Sequence, residues 1–497
     1  MTTLKALCLA GMLALPLGAA GQRAAADNEP APVHPVPSER QIAWNNTEFY
    51  AFFHFGMNTF TGREWGIGDE AETTFAPKKV PNPEQWLKAC KKAGMKGGIA
   101  VVKHHDGFCL WPTATTTHCV SRSEGNGKLT NIPRDFAAAA RKLGMKYGFY
   151  VSPWDRSNGK YGTQAYIDDV FIPQCEELAK YGADQFEMWF DGAGGDADGR
   201  NGYYGGAYEQ RKVDRYVYYD VPNLRYKIHS LAPNCVMWGI GGEARWIGNE
   251  RGVAGETNWA MHAWAENHNN ETGEEGHWLW NAGESDAMAT TGGWFWKKDE
   301  KMKSAETLFK MYLETVGRNA TLILNLPPND SGELPRQDVD TLARLGKLLR
   351  QRLGKDLALK ARATATQTRR AGAARSYGAA NLTDGRDDTY WATDDGVVQA
   401  SATIDLGRVK PVRYVALQEY IRKGQRVRAF SIETSTDGRS WIAAAPGVQC
   451  TTIGRKRIVP LNGSTAKSYD AGTPARYVRV NITDSRACPL IQRIAVY

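Results

Sequence analysis

The chain has 497 residues, 42% of them apolar and 23% charged, with a formal net charge of +8. That length exceeds one typical domain and predicts two or more, each large enough to bury its own core. Lys and Arg are scattered, with a modest concentration after Arg350 and no long basic block, so the positive balance gives nucleic acid no footprint. The 16 Trp and 21 Tyr are a rich supply. Aromatic rings fill cores and also stack on the apolar faces of sugars, which leans toward a carbohydrate partner.

The N-terminus reads Met1-Thr-Thr-Leu-Lys5 followed by an apolar run from Ala6 to Ala20 that ends in small residues, the layout of a secretory signal. Cleavage at Ala20 or Ala26 is expected, which makes 1–26 a signal peptide and the mature protein periplasmic or extracellular. Cys8 lacks the preceding residues of a lipoprotein signal, and no later segment has the length of a membrane span. After the signal come Cys90, Cys109, Cys119, Cys175, Cys235, Cys450 and Cys488, an odd number without metal-type spacing. They are expected mostly as small buried apolar residues. Cys450 and Cys488 share the C-terminal region, and their pairing is left open.

Residues 27–37, with Pro30, Pro32, Pro35 and Pro37, predict an extended leader. Strand-like apolar runs follow at Phe49–His54, Gly98–His104, Tyr147–Pro153, Gln185–Asp191, Cys235–Ile240 and Thr321–Leu326. Helical spacing lies between them at Pro83–Ala93, Phe136–Leu143 and Ile167–Tyr181. Repeated strand and helix over this length predicts an α/β fold, a (β/α)8-like TIM-type barrel over 27–355 closed by a helix at Asp338–Arg352. An open doubly wound sheet is the alternative, but no Gly-rich phosphate loop follows the first strand. From 356 to 497 short alternating runs such as Ala402–Leu406, Arg413–Leu417, Ala429–Ser435 and Tyr477–Ile482 predict an antiparallel β-sandwich.

In such barrels chemistry sits where the strands end. Asp191 ends the apolar stretch Glu187-Met-Trp-Phe and precedes Gly192-Ala-Gly-Gly195, so a carboxylate emerges where strand gives way to loop. On its own it reads as a helix or turn cap. Trp189, two residues earlier, points to the same side and is expected to line a sugar-sized pocket. A retaining glycosidase needs a second carboxyl about 5 Å away. Glu243, Glu250 and Glu284 are the candidates, and spacing leaves the choice open. His54, and His104 or His105, stand at strand ends as hydrogen-bonding imidazoles, with no Cys or acidic partner at metal-ligand spacing.

Together these residues resemble glycoside hydrolase family 29, the α-L-fucosidases. The resemblance runs over roughly 40–350 through His54-Phe-Gly with Glu64-Trp65, Lys103-His-His-Asp-Gly-Phe108, Phe149-Tyr-Val-Ser-Pro-Trp154, Trp189-Phe-Asp-Gly192, Arg245-Trp-Ile-Gly-Asn-Glu250, Gly293-Trp-Phe295 and Arg318-Asn-Ala-Thr-Leu322. It implies a retaining exo-α-L-fucosidase acting on fucosylated glycans through a covalent fucosyl-enzyme, with Asp191 as nucleophile and no cofactor needed for catalysis. His54, His104 and His105 would bind fucose hydroxyls, with Glu64, Trp65, Tyr150, Trp189 and Trp294 completing the pocket. The Arg245–Glu250 segment resembles the branch acting on α-1,3 and α-1,4 linkages, which makes Glu250 the preferred acid/base. The Gly- and Tyr-rich stretch 194–219 departs from the pattern and is a candidate part of the aglycone site. The last domain resembles discoidin-like sandwiches through Asn381-Leu-Thr-Asp384-Gly-Arg-Asp387-Asp-Thr-Tyr-Trp391 and Ile404-Asp-Leu-Gly407. Asn381, Asp384 and Asp387 form either a Ca²⁺ site or a hydrogen-bonded turn. The rival readings are a catalytically silent glycan-binding protein and a retaining glycosidase for another sugar such as α-galactose.

Overall fold

A computed structural model describes residues 28–196, 199–263, 270–370, 376–462 and 472–497. The signal expected at 1–26 lies outside the described residues. Eight parallel strands form the first domain: β1 (Phe49–Phe53), β2 (Gly97–Lys103), β3 (Lys146–Val151), β4 (Gln185–Trp189), β5 (Val236–Trp238), β6 (Arg245–Trp246), β7 (Gly283–Met288) and β8 (Ala320–Asn325). Their order in the sheet is β5-β4-β3-β2-β1-β8-β7-β6. A parallel bridge from Trp238 to Ala244 brings the outer strands together, so the barrel is nearly closed.

Side chains alternate along each strand between the barrel interior and the shell under the helices. Tyr50 and Phe52 of β1, Ile99 and Val101 of β2, Tyr150 of β3 and Trp189 of β4 belong to the inner cluster. Ala51 and Phe53, Ala100 and Val102, Phe149, and Met188 face the outer one. Trp44, from the helix Glu39–Asn45 ahead of β1, joins the inner cluster.

Local signals set the helix limits. Pro83–Ala93 starts on Asn82, whose side chain accepts from the Gln85 N–H, and stops at Gly94 with φ of 89°. Ile132–Leu143 repeats this with Asn131 and Gly144. An N-cap of this kind contributes about 1 kcal/mol, and the left-handed stop suits glycine. The barrel departs from eight strand-helix repeats between β5 and β6, where one 3-10 turn at Gly239–Gly241 serves instead of a helix. Among the described residues between β6 and β7 there is no helix either. The last barrel helix is Arg336–Leu353.

The second domain pairs a five-stranded antiparallel sheet, built on Ala400–Val412, Val427–Ser435 and Thr473–Ser485, with a four-stranded one that includes Tyr414–Glu419 and Leu490–Val496. Its core holds Ile404, Leu417, Ile432, Val480 and Ile494. The domains are pinned together at Glu48, just before β1, which meets Lys456 at 2.6 Å and Arg455 at 3.5 Å. The proline-rich leader is extended along the sandwich: the Val33 N–H donates to Lys423 O at 2.9 Å, and Arg426 donates to Ala31 O at 2.6 Å.

Cys450 and Cys488 are not bonded to each other. Cys488 packs with Tyr377, Tyr390 and Leu490, in a cluster apart from the main sandwich core that Cys450 borders. Asn381 donates to the carbonyls of Ser376 and Tyr390, Asp384 accepts from Arg386 N–H and Thr389, and Asp387 accepts from Gln492. Each of the three side chains is therefore tied by hydrogen bonds within the sandwich domain.

Candidate active site

Asp191 leaves the end of β4 with its side chain 44% exposed. Tyr150, at the end of β3, donates its hydroxyl to Asp191 Oδ2 at 3.1 Å. His105 Nε2, from the loop after β2, stands 3.6 Å from the same oxygen. The helix that follows is capped by Asp220, so Asp191 is not its N-cap. Gly192, with φ of 77°, is required twice over, because a Cβ there would lie 2.7 Å from His105 Cε1.

Glu250 reaches the mouth from the turn after β6. Its own φ is 53°, a left-handed conformation rare for a residue with a side chain. The turn is held by Asn249, which accepts from the Arg251 N–H at 3.0 Å and donates to Val253 O at 2.7 Å. Arg251 then bridges to Ala287 of β7. Burial, and after it the charge of Asp191, raises the Glu250 carboxyl above the ordinary carboxylate range, while a hydrogen bond from the Trp294 side chain acts the other way. A carboxyl raised by burial and by a neighbouring carboxylate is what a two-carboxylate mechanism asks of its acid. Arg245, at the start of the same segment, is buried and donates to Trp259 O, Asn270 O, Asn281 O and Asn258 Oδ1, fixing the loops around it.

The other two glutamates lie elsewhere. Glu243 accepts from the Met237 N–H at 2.8 Å and meets Arg40 and His229, groups that precede β1 and β5. Glu284 is fully buried in β7 below the mouth, where it accepts from the Trp189 indole at 3.0 Å. Trp189 is 3% exposed, between Tyr150 at 0% and His54 at 4%, and is stacked at 3.5 Å on Trp238, which borders the cavity beside Asp191.

His54, after β1, shares a 2.8 Å hydrogen bond between its Nδ1 and Asn325 Oδ1 on β8. Burial holds His54 and His105 down at about 3, and it drives His104 well below its usual value. All three are therefore neutral hydrogen-bonding groups at ordinary pH. His104 stacks on Tyr150, and its Nδ1 is buried without a hydrogen-bond partner. Trp65 packs edge-on to His105 at 4.9 Å, under the Arg200 guanidinium. Glu64 accepts the Trp294 N–H at 2.8 Å, and Asn325 donates to the Trp294 carbonyl at 2.7 Å. Asp191, Tyr150, His54, His104, His105, Trp65, Trp294 and Glu250 thus form one contiguous network, which Trp189 joins through Tyr150. Glu64 acts on it through Trp294.

Several neighbours escaped the sequence reading. A cavity of about 150 Å³ beside Asp191 is lined by Arg215, Trp238, Trp246, His262, Asn270 and Asn281 among others. Arg215 belongs to the 194–219 stretch. Asp286, on β7, is buried and accepts from the Trp246 indole at 2.8 Å. The polar run Gly283-Glu-Ser-Asp carries no apolar strand signal, which is why β7 and Asp286 were passed over.

Two neighbouring carboxyls among neutral imidazoles and aromatic rings, at the C-terminal face of a barrel, are what glycoside hydrolysis requires of a site. The alpha-L-fucosidase family profile matches residues 40–352, and the F5/8 type C domain profile matches 362–494. Alpha-L-fucosidase 1 of Arabidopsis thaliana is 31% identical over 94% of this chain and 88% of its own. A glycoside hydrolase 29 family member from an unknown rumen bacterium superimposes with a TM-score of 0.79 at 35% identity, covering 94% of this chain and 78% of that one. A Ruminococcus gnavus family 29 fucosidase, solved in complex with fucose, gives 0.79 at 30% identity over 94% and 96%. The chain belongs to the α-L-fucosidases of glycoside hydrolase family 29, with a C-terminal discoidin-type domain.

Proposed function

We propose that this α-L-fucosidase is a retaining exo-enzyme in which Asp191 is the nucleophile and Glu250 the acid/base. Glu250 gives its proton to the glycosidic oxygen as Asp191 attacks the anomeric carbon, the bond to the aglycone breaks, and a fucosyl-Asp191 ester forms. Glu250, now ionised, takes a proton from water, which attacks the same carbon and releases fucose with its configuration retained. His54, His104 and His105 serve as neutral partners for fucose hydroxyls, with Glu64, Trp65, Tyr150 and Trp294 holding the pocket. The observation that carries this reading is the exposed Asp191 carboxylate at the end of β4, oriented by the Tyr150 hydroxyl and with Glu250 close enough across the mouth to feel its charge.

The substrates we infer are α-1,3 and α-1,4 linked fucose in branched glycans, met outside the cytoplasm. The Arg245–Glu250 segment supports the linkage, and the cavity beside Asp191 offers the aglycone a seat. The apolar N-terminal run supports export. A panel of α-1,2, α-1,3, α-1,4 and α-1,6 fucosides, with the anomer first released followed by NMR, tests the reading. Fucose released first as the α anomer, from α-1,3 and α-1,4 substrates foremost, is expected. Release of the β anomer, or a preference for α-1,2 or α-1,6 substrates, contradicts it.

A further inference from the structure

Beneath the mouth, β4 and β7 bring two glutamates face to face. Glu187 and Glu284 are both 0% exposed and act directly on one another's ionisation. An indole occupies one oxygen of each: Trp44 donates to Glu187 Oε2 at 2.8 Å, and Trp189 donates to Glu284 Oε1 at 3.0 Å. The remaining oxygens, Glu187 Oε1 and Glu284 Oε2, are buried and accept from no protein N–H. From β1 the Tyr50 hydroxyl faces both acids while sitting 3.3 Å from Thr321 Oγ1 of β8. Glu284 in turn acts on Asp286, one step up β7. Among the described residues, no Lys, Arg or His forms an ion pair with either acid.

Two carboxylates in contact, sealed from water and without a cation, cannot both be ionised. A carboxylic acid hydrogen-bonded to a carboxylate satisfies every atom. The connection to the mouth is short. Trp189 lies between Trp238, at 3.5 Å and 10°, and Tyr150, at 5.6 Å and 21°. Tyr150 is the residue whose hydroxyl holds Asp191 Oδ2.

We propose that Glu187 and Glu284 share a single proton and together act as positioning residues, fixing the Trp189 indole and through it the Tyr150 hydroxyl that orients Asp191. This rests on the reading of Asp191 as the nucleophile. The pattern of replacements follows from hydrogen-bond count. In Glu284→Gln the amide oxygen still accepts from Trp189, and the NH₂ donates to an ionised Glu187. Glu187→Gln is satisfied in the mirror sense. With both replaced, two NH₂ groups oppose each other, or one amide flips and abandons its indole.

The test is kcat and KM for the two single Gln variants, the double Gln variant and Glu284→Leu, each in the wild-type chain and in an azide-supplied Asp191→Gly chain. Each single Gln variant is expected to keep kcat within about threefold. The double variant and Glu284→Leu should lose about tenfold or more in kcat with KM little changed. In the Asp191→Gly chain with azide, where no carboxylate remains to be oriented, the same replacements should cost less than about twofold. Single Gln variants as impaired as the double, or a loss undiminished in the azide background, would overturn the proposal. Should the double variant not fold, Glu284→Leu against Glu284→Gln supplies the same contrast. Near-normal turnover of Asp191→Gly without azide would instead remove the nucleophile reading, and the proton-sharing claim would then be decided by the melting temperatures of the single and double Gln variants.

Discussion

The Tyr150 hydroxyl donates to Asp191 Oδ2 across 3.1 Å, joining the ends of two adjacent strands whose registers pair Tyr150 with Trp189. The bond orients the carboxylate while leaving it exposed to the mouth. Hydrogen bonds to a charged group contribute about 1.5–3 kcal/mol. Tyr150→Phe is expected to lower kcat ten- to a hundredfold on an aryl α-L-fucoside while leaving the melting temperature within a few degrees. Unchanged kcat would show that Asp191 needs no such guide.

Glu250 and Trp294 supply a pH test. The Trp294 hydrogen bond favours the ionised form of Glu250, so its removal raises a carboxyl already lifted by burial and by Asp191. The acid must be protonated to act, so activity falls as pH rises through its pKa. Trp294→Phe should therefore move the alkaline limb of kcat/KM upward in pH. An alkaline limb that stays put or moves down would remove Glu250 from the acid role.

Leaving-group dependence tests the same residue. Glu250→Gln is expected to lose most of its activity on oligosaccharides and far less on aryl fucosides, whose phenolate needs no proton to depart. General acid catalysis is worth about 10²–10⁴-fold, and that is the size of the gap to look for. Equal losses on both kinds of substrate would count against the assignment.

Glu48 links the barrel to the sandwich. Burial pushes its carboxyl up, yet Lys456, Arg455 and Lys96 outweigh burial and hold it at about 2 against an ordinary value of 4.5. A lowered folded-state pKa gives stability that is full above pH 4.5 and lost as pH falls toward about 2. Thermal melts across that window should show a steep acid loss in the wild type and a shallower one in Glu48→Gln, which is also less stable at pH 7. Parallel curves would show that this cluster does not control the docking.

The strands legible in the sequence are those whose apolar runs fill both the inside and the outside of the barrel, such as Phe49–Phe53 and Gly97–Lys103. Asp191 and the histidines were legible because strand ends carry polar residues right after such runs. β6, two residues long, and β7, buried but written in Glu284, Ser285 and Asp286, leave no such trace. Their interior faces are paid for by partners distant in sequence: Trp189 for Glu284, and Trp246 for Asp286. The resemblance alone prefers Glu250 over Glu243 and Glu284; what the sequence does not carry is their separation in space, with Glu284 buried in the floor and Glu243 tied to Arg40 and His229.

The central claim is that Asp191 attacks the anomeric carbon. Asp191→Gly, folded and supplied with azide, measures this most directly. The account predicts turnover reduced by about a thousandfold or more without azide, and partial recovery with azide accompanied by β-L-fucosyl azide as product. Turnover near that of the wild type without azide, or no azide adduct from a folded variant that still binds fucose, would contradict it.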